Sequence, residues 1–530
     1  MSRSASPLFR MKRCVCALVE TISSRTARFI ESAVAVDSTH LDVLLARKRV
    51  SLLLETKDAS YDGQLIAFTL LNLLIRLGDY CPRLDVQLPA IPRHALLRLL
   101  PDGNLDDALL EYFAPFPAAA RLHFHKAEPR GEADVLVNVA PAPVVGRLTV
   151  WSQGWLAYID LAPRSESISG PPNPVGPSLA GALAAAEVFK RLVGEFPLRP
   201  GLKIRRTGPM VMSGYDYGLA EGPNPAIPEA IDVDGLVVVG LGGIGAAWAA
   251  AAASLEALEG KLFLVDPDWL DVTSHNRHLV SRPVDSGPKV RLAADALAFH
   301  PDVVPVELWF GEFLKQHGEH HQLVVVGVDK DVVRREIQAS LPRVILNAGT
   351  SDDASLRVTR HDFVHGACLS CISRDDLLDH PAERQLAKQL GLSLDVVLEF
   401  AASNAPVPAL VLRAGGVLKD DQISVLADRP LPEIQIRVCS ELQLVAGAQQ
   451  PAVSISFLSA IPGYLLLGEV IKERASRDRR PPLNLEINHA FMSTLGRPHP
   501  ELLHGWLGKR DDCDCSRNAY QRSYQRRWNT

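Results

Sequence analysis

Between Gly235 and Leu258 the chain is almost wholly apolar, and inside that stretch lies Gly240-Leu241-Gly242-Gly243-Ile244-Gly245. A run of this length raises a transmembrane reading, but it divides internally. Leu236 to Val239 is mostly β-branched and predicts a strand. The glycines predict a tight turn, and the alanine-rich run after them a buried helix. Glycine at these positions permits the turn and lets backbone approach a phosphate closely. The helix N-terminus then offers free N–H groups and a positive dipole end. Alone the motif says only nucleotide, and a tight turn that binds nothing is its plain alternative.

The surrounding pattern extends the α/β reading. In the second half, Leu236–Val239, Leu262–Val265, Val303–Leu308, Leu323–Val328 and Val344–Leu346 read as apolar strands separated mostly by helices. That alternation predicts a doubly wound, mostly parallel sheet. The first half predicts a strand at Val50–Leu54, a loop at Asp58–Asp62, a helix at Gln64–Leu77 and a strand at Leu84–Leu88. Further strands follow at Val135–Val139 and Arg147–Trp151, then an alanine-rich helix at Ser178–Leu192. No glycine triplet stands in the first-half loop. A Gly- and Pro-rich linker, Tyr215–Pro228, joins the halves. The expected division is residues 1–225 and 226–530, a length that suits two or three cores. The late apolar helix Pro451–Lys472, ending on Glu469 and Lys472, echoes the earlier one ending on Glu187 and Lys190. This leaves an internal repeat and two unrelated helices as open alternatives.

Charge and cysteine usage exclude several classes. A net charge of −5 gives no basic footprint for nucleic acid. Eight cysteines in 530 residues are too few for a disulfide scaffold. The N-terminal Met1–Val19 stretch is interrupted by Glu20 with no cleavage site, so no signal peptide is expected. Cytoplasmic location, with no membrane partner, is the default.

Asp266 closes the second strand of the later half, where a carboxylate can accept from ribose hydroxyls. It suits NAD as well as ATP. Asn276-Arg277-His278 and Gly287-Pro288-Lys289 follow, and Val328-Asp329 ends a later strand. Each charge alone is more often a surface or salt-bridge residue. Fixed cations are what adenylation requires: a carboxylate attacks the α-phosphorus of ATP, pyrophosphate leaves, and both partners are anionic. Arg277 and Lys289 can offset that charge, and Asp329 at a strand's carboxyl end could hold Mg²⁺.

The order of Gly240–Gly245, Asp266-Pro267-Asp268, Asn276-Arg277, Gly287-Pro288-Lys289 and Val328-Asp329 closely resembles the ubiquitin-activating and ThiF/MoeB superfamily over roughly residues 231–515. The resemblance implies Rossmann-like adenylation domains in an inactive and an active copy forming a pseudo-dimer. It implies nucleotide binding through Gly240, Gly242, Gly243, Gly245, Asp266, Asp268, Asn276 and Asp329, with Asp266 on ribose, Arg277 and Lys289 on the phosphates and Asp329 on Mg²⁺. His278 stands where the family has Gln, and Thr273-Ser274 where it has Ser-Asn.

Cys368-x-x-Cys371 and Cys513-x-Cys515 supply four thiolates, a set suited to structural Zn²⁺ or, without metal, four ordinary thiols. The second pair departs from the family's CxxC. Cys439 stands alone between the two pairs. The resemblance implies a nucleophile there, within a catalytic-cysteine segment of about residues 372–450, that captures the acyl group as a thioester; a small buried hydrophobe is the alternative. Arg25-x-x-Arg28 resembles the family's N-terminal arginine pair, which makes Arg28 a candidate arginine finger or else a solvated helix residue. Length and composition resemble the BilD-type activating enzymes of bacterial antiphage operons. The partners so implied are a ubiquitin-like protein and a conjugating enzyme. A ThiF/MoeB-type adenylyltransferase of sulfur carriers, with no thioester step, is the competing reading, and a non-catalytic scaffold the third.

Overall fold

The computed structural model describes residues 38–126, 132–164, 169–197, 204–350, 355–372, 386–434 (without 388, 404 and 432), 455–475, 488–493 and 504–529, together with Thr26 and Ile30. The chain forms two compact units, one of residues 1–372 with 453–530 and one of residues 373–452.

The larger unit contains two seven-stranded sheets. The first is built from β1 (Arg49–Leu54), β2 (Arg83–Gln87), β3 (Leu122–Phe124), β4 (Val135–Val139), β5 (Leu148–Gln153), β6 (Leu156–Ile159) and β7 (Met210–Ser213), in the order β3-β2-β1-β4-β5-β6-β7. The second uses β9 (Leu236–Val239), β11 (Leu262–Val265), β12 (Val303–Val306), β13 (Leu323–Val326), β14 (Val344–Thr350), β15 (Ser355–His361) and β18 (His489–Ser493), ordered β12-β11-β9-β13-β14-β15-β18. A short parallel pair, β8 (Ala230–Asp232) with β10 (Ala257–Glu259), lies apart.

The two orders are the same pattern. In each, five strands run parallel and the last two pairings are antiparallel. Both sheets are therefore doubly wound and mostly parallel, as the alternation of strands and helices predicts. The antiparallel strands β6, β7, β15 and β18 are additions that the apolar runs did not reveal.

Four helices join the halves. These are α2 (Tyr61–Ile75) and α4 (Val175–Val193) of the first half, and α5 (Gly243–Ala252) and α13 (Ser456–Ala475) of the second. In α2 fourteen of the fifteen residues are buried, in α4 eighteen of nineteen and in α13 seventeen of twenty. A helix apolar all round must lie between other layers. Tyr61 Oη donates to Ser254 O at 3.0 Å, Ser456 Oγ to Leu73 O at 2.8 Å, and the rings of Phe189 and Phe457 lie 5.5 Å apart.

Glycine lets these helices cross closely. A Cβ on Gly181 of α4 would lie 2.8 Å from Thr69 Cβ, and one on Gly463 of α13 would lie 2.5 Å from Ile244 O. Six and nine residues after each of these glycines come a Glu and a Lys: Glu187 with Lys190, Glu469 with Lys472. Both are buried (i,i+3) ion pairs. The late helix is thus the repeat of the early one in packing as well as in sequence.

The smaller unit is described by itself. Helices α10 (Leu394–Ser403), α11 (Ala409–Ala414) and α12 (Asp420–Leu426), with the strand pair β16 (Pro406–Val407) and β17 (Arg429–Pro430), surround a core of Leu390, Val397, Val407, Leu412, Leu426 and Ile434. Among the described residues no helix is long and apolar enough to cross a membrane.

Candidate functional site

The glycine loop leaves the carboxyl end of β9, the middle strand of its sheet's parallel part, and opens α5. Each glycine has a separate reason. Gly240 has φ +88°, and a Cβ there would lie 2.7 Å from Val328 Cγ1 and 2.9 Å from Val328 N. A Cβ on Gly245 would lie 2.1 Å from Gly240 O, and one on Gly243 2.9 Å from Ser459 and 3.2 Å from Arg277 Cδ. At Gly242, the N-cap of α5, nothing lies within 4 Å. The loop is packed on three glycines and open at the fourth, directly over the helix N-terminus, the place an anion would occupy.

The other residues singled out from sequence gather around it. Asp266, at the end of β11, is buried. Its carboxylate accepts from Leu241 N at 2.6 Å and from Asp268 N at 2.8 Å. Burial pushes its carboxyl above the usual range, against the pull of Lys289. Asp266 therefore holds the glycine loop itself. Lys289 is the first residue of α6 (Lys289–Ala296); its Nζ meets Asp268 Oδ2 at 2.8 Å and its backbone N donates to Asp268 O at 3.0 Å. Asn276 ends a 3-10 turn, Val272–Asn276, that Arg277 caps and whose N-cap Asp271 accepts from Ser274 N at 2.8 Å. Asn276 is fully buried. Arg277 donates to Thr273 O and Asn276 Oδ1, and its stem lies over Gly243.

Asp329 follows β13 directly after Val328, the residue against which Gly240 packs, and it is exposed. Asp266, Asp268, Arg277, Lys289 and Asp329 are thus brought to one sheet edge around the loop. Two cations, a helix N-terminus and an exposed carboxylate form a set able to take up a polyphosphate and its divalent ion. Arg28 and Cys439 lie outside the described residues, as does most of the segment around Cys439.

The departure at His278 places an imidazole in the core. It is fully buried, neither ring nitrogen has a hydrogen-bond partner, and burial beside Arg76 lowers its pKa to about 3, so it is neutral.

The first half carries the same loop in altered form. Gly63 stands to Asp58 as Gly245 does to Gly240, for a Cβ there would also lie 2.1 Å from the earlier carbonyl oxygen. The positions between differ. Ser60 caps α2 and accepts from Gly63 N at 3.5 Å, and Tyr61 stands where the second half has Gly243. Asp62 adds a carboxylate, hydrogen-bonded to Ser152 Oγ at 2.6 Å and raised to about 6 by burial. Side chains and negative charge occupy the helix N-terminus that is open at Gly242.

The four cysteines converge. Cys368, followed by α9 (Leu369–Ile372) with Cys371, faces Cys513 and Cys515, and all four Sγ atoms lie within 4.8 Å of one another. The separations of 3.8 Å (Cys368–Cys371), 3.6 Å (Cys368–Cys513) and 3.4 Å (Cys371–Cys515) fit the tetrahedral edge of about 3.8 Å set by Zn–S bonds of about 2.3 Å. The set fits a tetrahedral thiophilic ion. Beside it, α14 (Asn518–Trp528) docks through Tyr524 Oη to Arg343 O and Trp528 Nε1 to Leu341 O, at 2.5 and 3.0 Å.

Sequence reasoning passed over Asn72, Arg76 and Tyr112, which reach from the first half to the 272–282 segment. A signal was present: Asn72 and Arg76 stand four apart in the mostly apolar run Leu65–Leu77, a pattern that marks polar groups with buried partners.

No protein-family model matches the chain. Over 402 residues, 72% of this chain and 74% of the relative, it is 27% identical to an uncharacterized protein, y4jF, of Sinorhizobium fredii. Over 259 residues, 45% of this chain, it is 28% identical to the bacterial E1-like protein BilD of a Collimonas species, spanning about half (54%) of that relative. Among solved structures, E. coli MccB with succinimide is matched over 54% of this chain and 66% of its own, at 14% identity and a TM-score of 0.33; MccB with ATP gives 0.32. The resemblance to E1-like proteins read from the motifs thus recurs in comparison of longer stretches of sequence.

Proposed function

We propose that this chain binds ATP·Mg²⁺ at the Gly240–Gly245 loop and adenylates the C-terminal carboxylate of a ubiquitin-like protein. The observation that carries the reading is the loop itself: crowded at Gly240, Gly243 and Gly245, open at Gly242, with Arg277 laid across Gly243. A substrate carboxylate oxygen attacks the α-phosphorus, the bond to the bridging oxygen breaks, and pyrophosphate leaves. Arg277 and Lys289 offset the charge of both partners; Asp329 holds the metal. Asp266 keeps the loop in place and, in its second role, accepts from ribose. Asp268 exchanges its ion pair with Lys289 for contact with nucleotide, and Asn276 fixes Arg277. Arg28 supplies a further cation from the inactive half, residues 1–225, while the active half, residues 226–530, carries the reaction.

The second step runs through Cys439. Its thiolate attacks the acyl carbon, AMP leaves, and a thioester forms that a conjugating enzyme then accepts. Cys368, Cys371, Cys513 and Cys515 hold Zn²⁺ as a structural ion. Similarity to a relative whose name describes a bacterial E1-like protein supports activation of a ubiquitin-like partner. We place the pathway in the bacterial cytoplasm, in antiphage defence.

The test is incubation with ATP, Mg²⁺ and candidate ubiquitin-like proteins, followed by non-reducing electrophoresis. A thiol-sensitive adduct, lost in Cys439→Ala and kept in Cys368→Ala, is expected. Pyrophosphate release without an adduct would transfer the chain to the sulfur-carrier type of adenylyltransferase. Bound nucleotide with no turnover on any carrier would make it a scaffold.

A further inference from the structure

Arg76 is the first residue beyond α2, in the half without the glycine loop, and is 1% exposed. Its guanidinium makes four hydrogen bonds. Nε donates to Asn72 Oδ1 at 2.8 Å. Nη1 donates to His275 O at 2.6 Å, and Nη2 to Ser281 O at 2.7 Å and to Leu279 O at 3.3 Å. The plane lies over the Phe116 ring, 4.9 Å from its centroid. Asn72 Nδ2 and Tyr112 Oη also donate to Leu279 O, at 3.4 and 3.2 Å.

The three carbonyls that receive Arg76 flank Asn276 and Arg277, one on the near side and two beyond. His275 lies in the 3-10 turn and Leu279 and Ser281 in irregular backbone, all outside any strand ladder. A buried guanidinium is costly unless its donors are matched, and here they are matched by backbone of the other half. The planar fork spans three acceptors that a lysine ammonium could not reach together. Fixing the backbone on both sides of Arg277 fixes where its side chain crosses the glycine loop.

We propose that Arg76 is a positioning residue for the nucleotide site. The first half, its own loop closed, orders the Asn276-Arg277 segment through Arg76, supported by Asn72 and Tyr112. The effect on nucleotide rests on the adenylation reading; the ordering of the segment does not.

Hydrogen exchange of the full chain separates the two. In Arg76→Met, amides of residues 272–282 are expected to exchange faster while β9, β11 and α5 keep their protection. Affinity for ATP·Mg²⁺ should fall by about tenfold or more, on the scale of one or two lost hydrogen bonds. Arg76→Lys should lose nearly as much, since charge without the fork does not restore the geometry. Unchanged exchange at 272–282, or a loss spread evenly over both sheets, would overturn the proposal. If the wild type binds no ATP, the adenylation reading fails while exchange still decides the ordering. Should Arg76→Met not fold, Tyr112→Phe removes one bond to the same segment, and unaltered protection there would equally overturn it.

Discussion

At the scale of single residues, the glycines of the loop divide into two kinds. Gly245 is held by its own chain: a methyl group would strike Gly240 O. Gly242 faces open space, so within the protein nothing would meet a side chain there. Gly245→Ala should therefore destabilise the fold by about 1–3 kcal/mol, as overpacking does, and lower the melting temperature. Gly242→Ala should leave stability within about 0.5 kcal/mol yet weaken ATP binding. Calorimetric melting beside nucleotide titration checks both, and equal effects on melting would refute the division.

At the scale of elements, helices α4 and α13 each bury one ion pair, and in α13 the pair is tied to neighbouring chain. Tyr217 Oη donates to Glu469 Oε1 at 2.6 Å, and Lys472 Nζ to Tyr215 O at 2.8 Å. Burial lowers the Lys472 pKa against the pull of Glu469. Lys472→Met leaves a buried carboxylate without its cation and should cost about 3–5 kcal/mol; Glu469→Gln with Lys472→Met should cost clearly less. Denaturant unfolding of both variants measures this. The N-terminus of α2 gives a pH signature. Asp62 is raised to about 6 in the fold, above an unfolded carboxyl near 3.9. The fold thus favours its protonated form. That contribution is complete below about pH 4 and is lost as pH rises through about 6. Asp62→Asn should stabilise the chain at pH 7, by at most about 3 kcal/mol, and flatten stability against pH between 4 and 6.

For the whole molecule, the cysteine cluster joins residues 368–371 to 513–515 and so fastens the end of the chain to the second sheet's surroundings. With Zn²⁺ bound, one ion per chain should appear by atomic emission. Chelation, or Cys515→Ser, should lower the melting temperature and expose α14 to protease without unfolding the first sheet. Sub-stoichiometric metal would reject the zinc assignment.

The residues that gather around the glycine loop were legible in the chain because local constraints place them. Glycine at a strand–helix turn, Asp at a strand end and Lys at a helix start occupy positions that neighbouring sequence defines. The strands β9 and β11 were legible to the residue for the same reason: buried on both faces, they read as continuous apolar runs. The antiparallel β6, β7, β15 and β18 were not, being defined by their partners across the sheet rather than by a local apolar run. Nor was Arg76, whose acceptors lie about two hundred residues away. By itself, the sequence determined a doubly wound fold, a nucleotide-type loop and two cysteine pairs, all patterns of short range. Only the tertiary structure decided that the four thiols meet, that both halves share one strand order, and that the half without a glycine loop holds the segment bearing Arg277. Those depend on long-range packing between surfaces that local sequence does not describe.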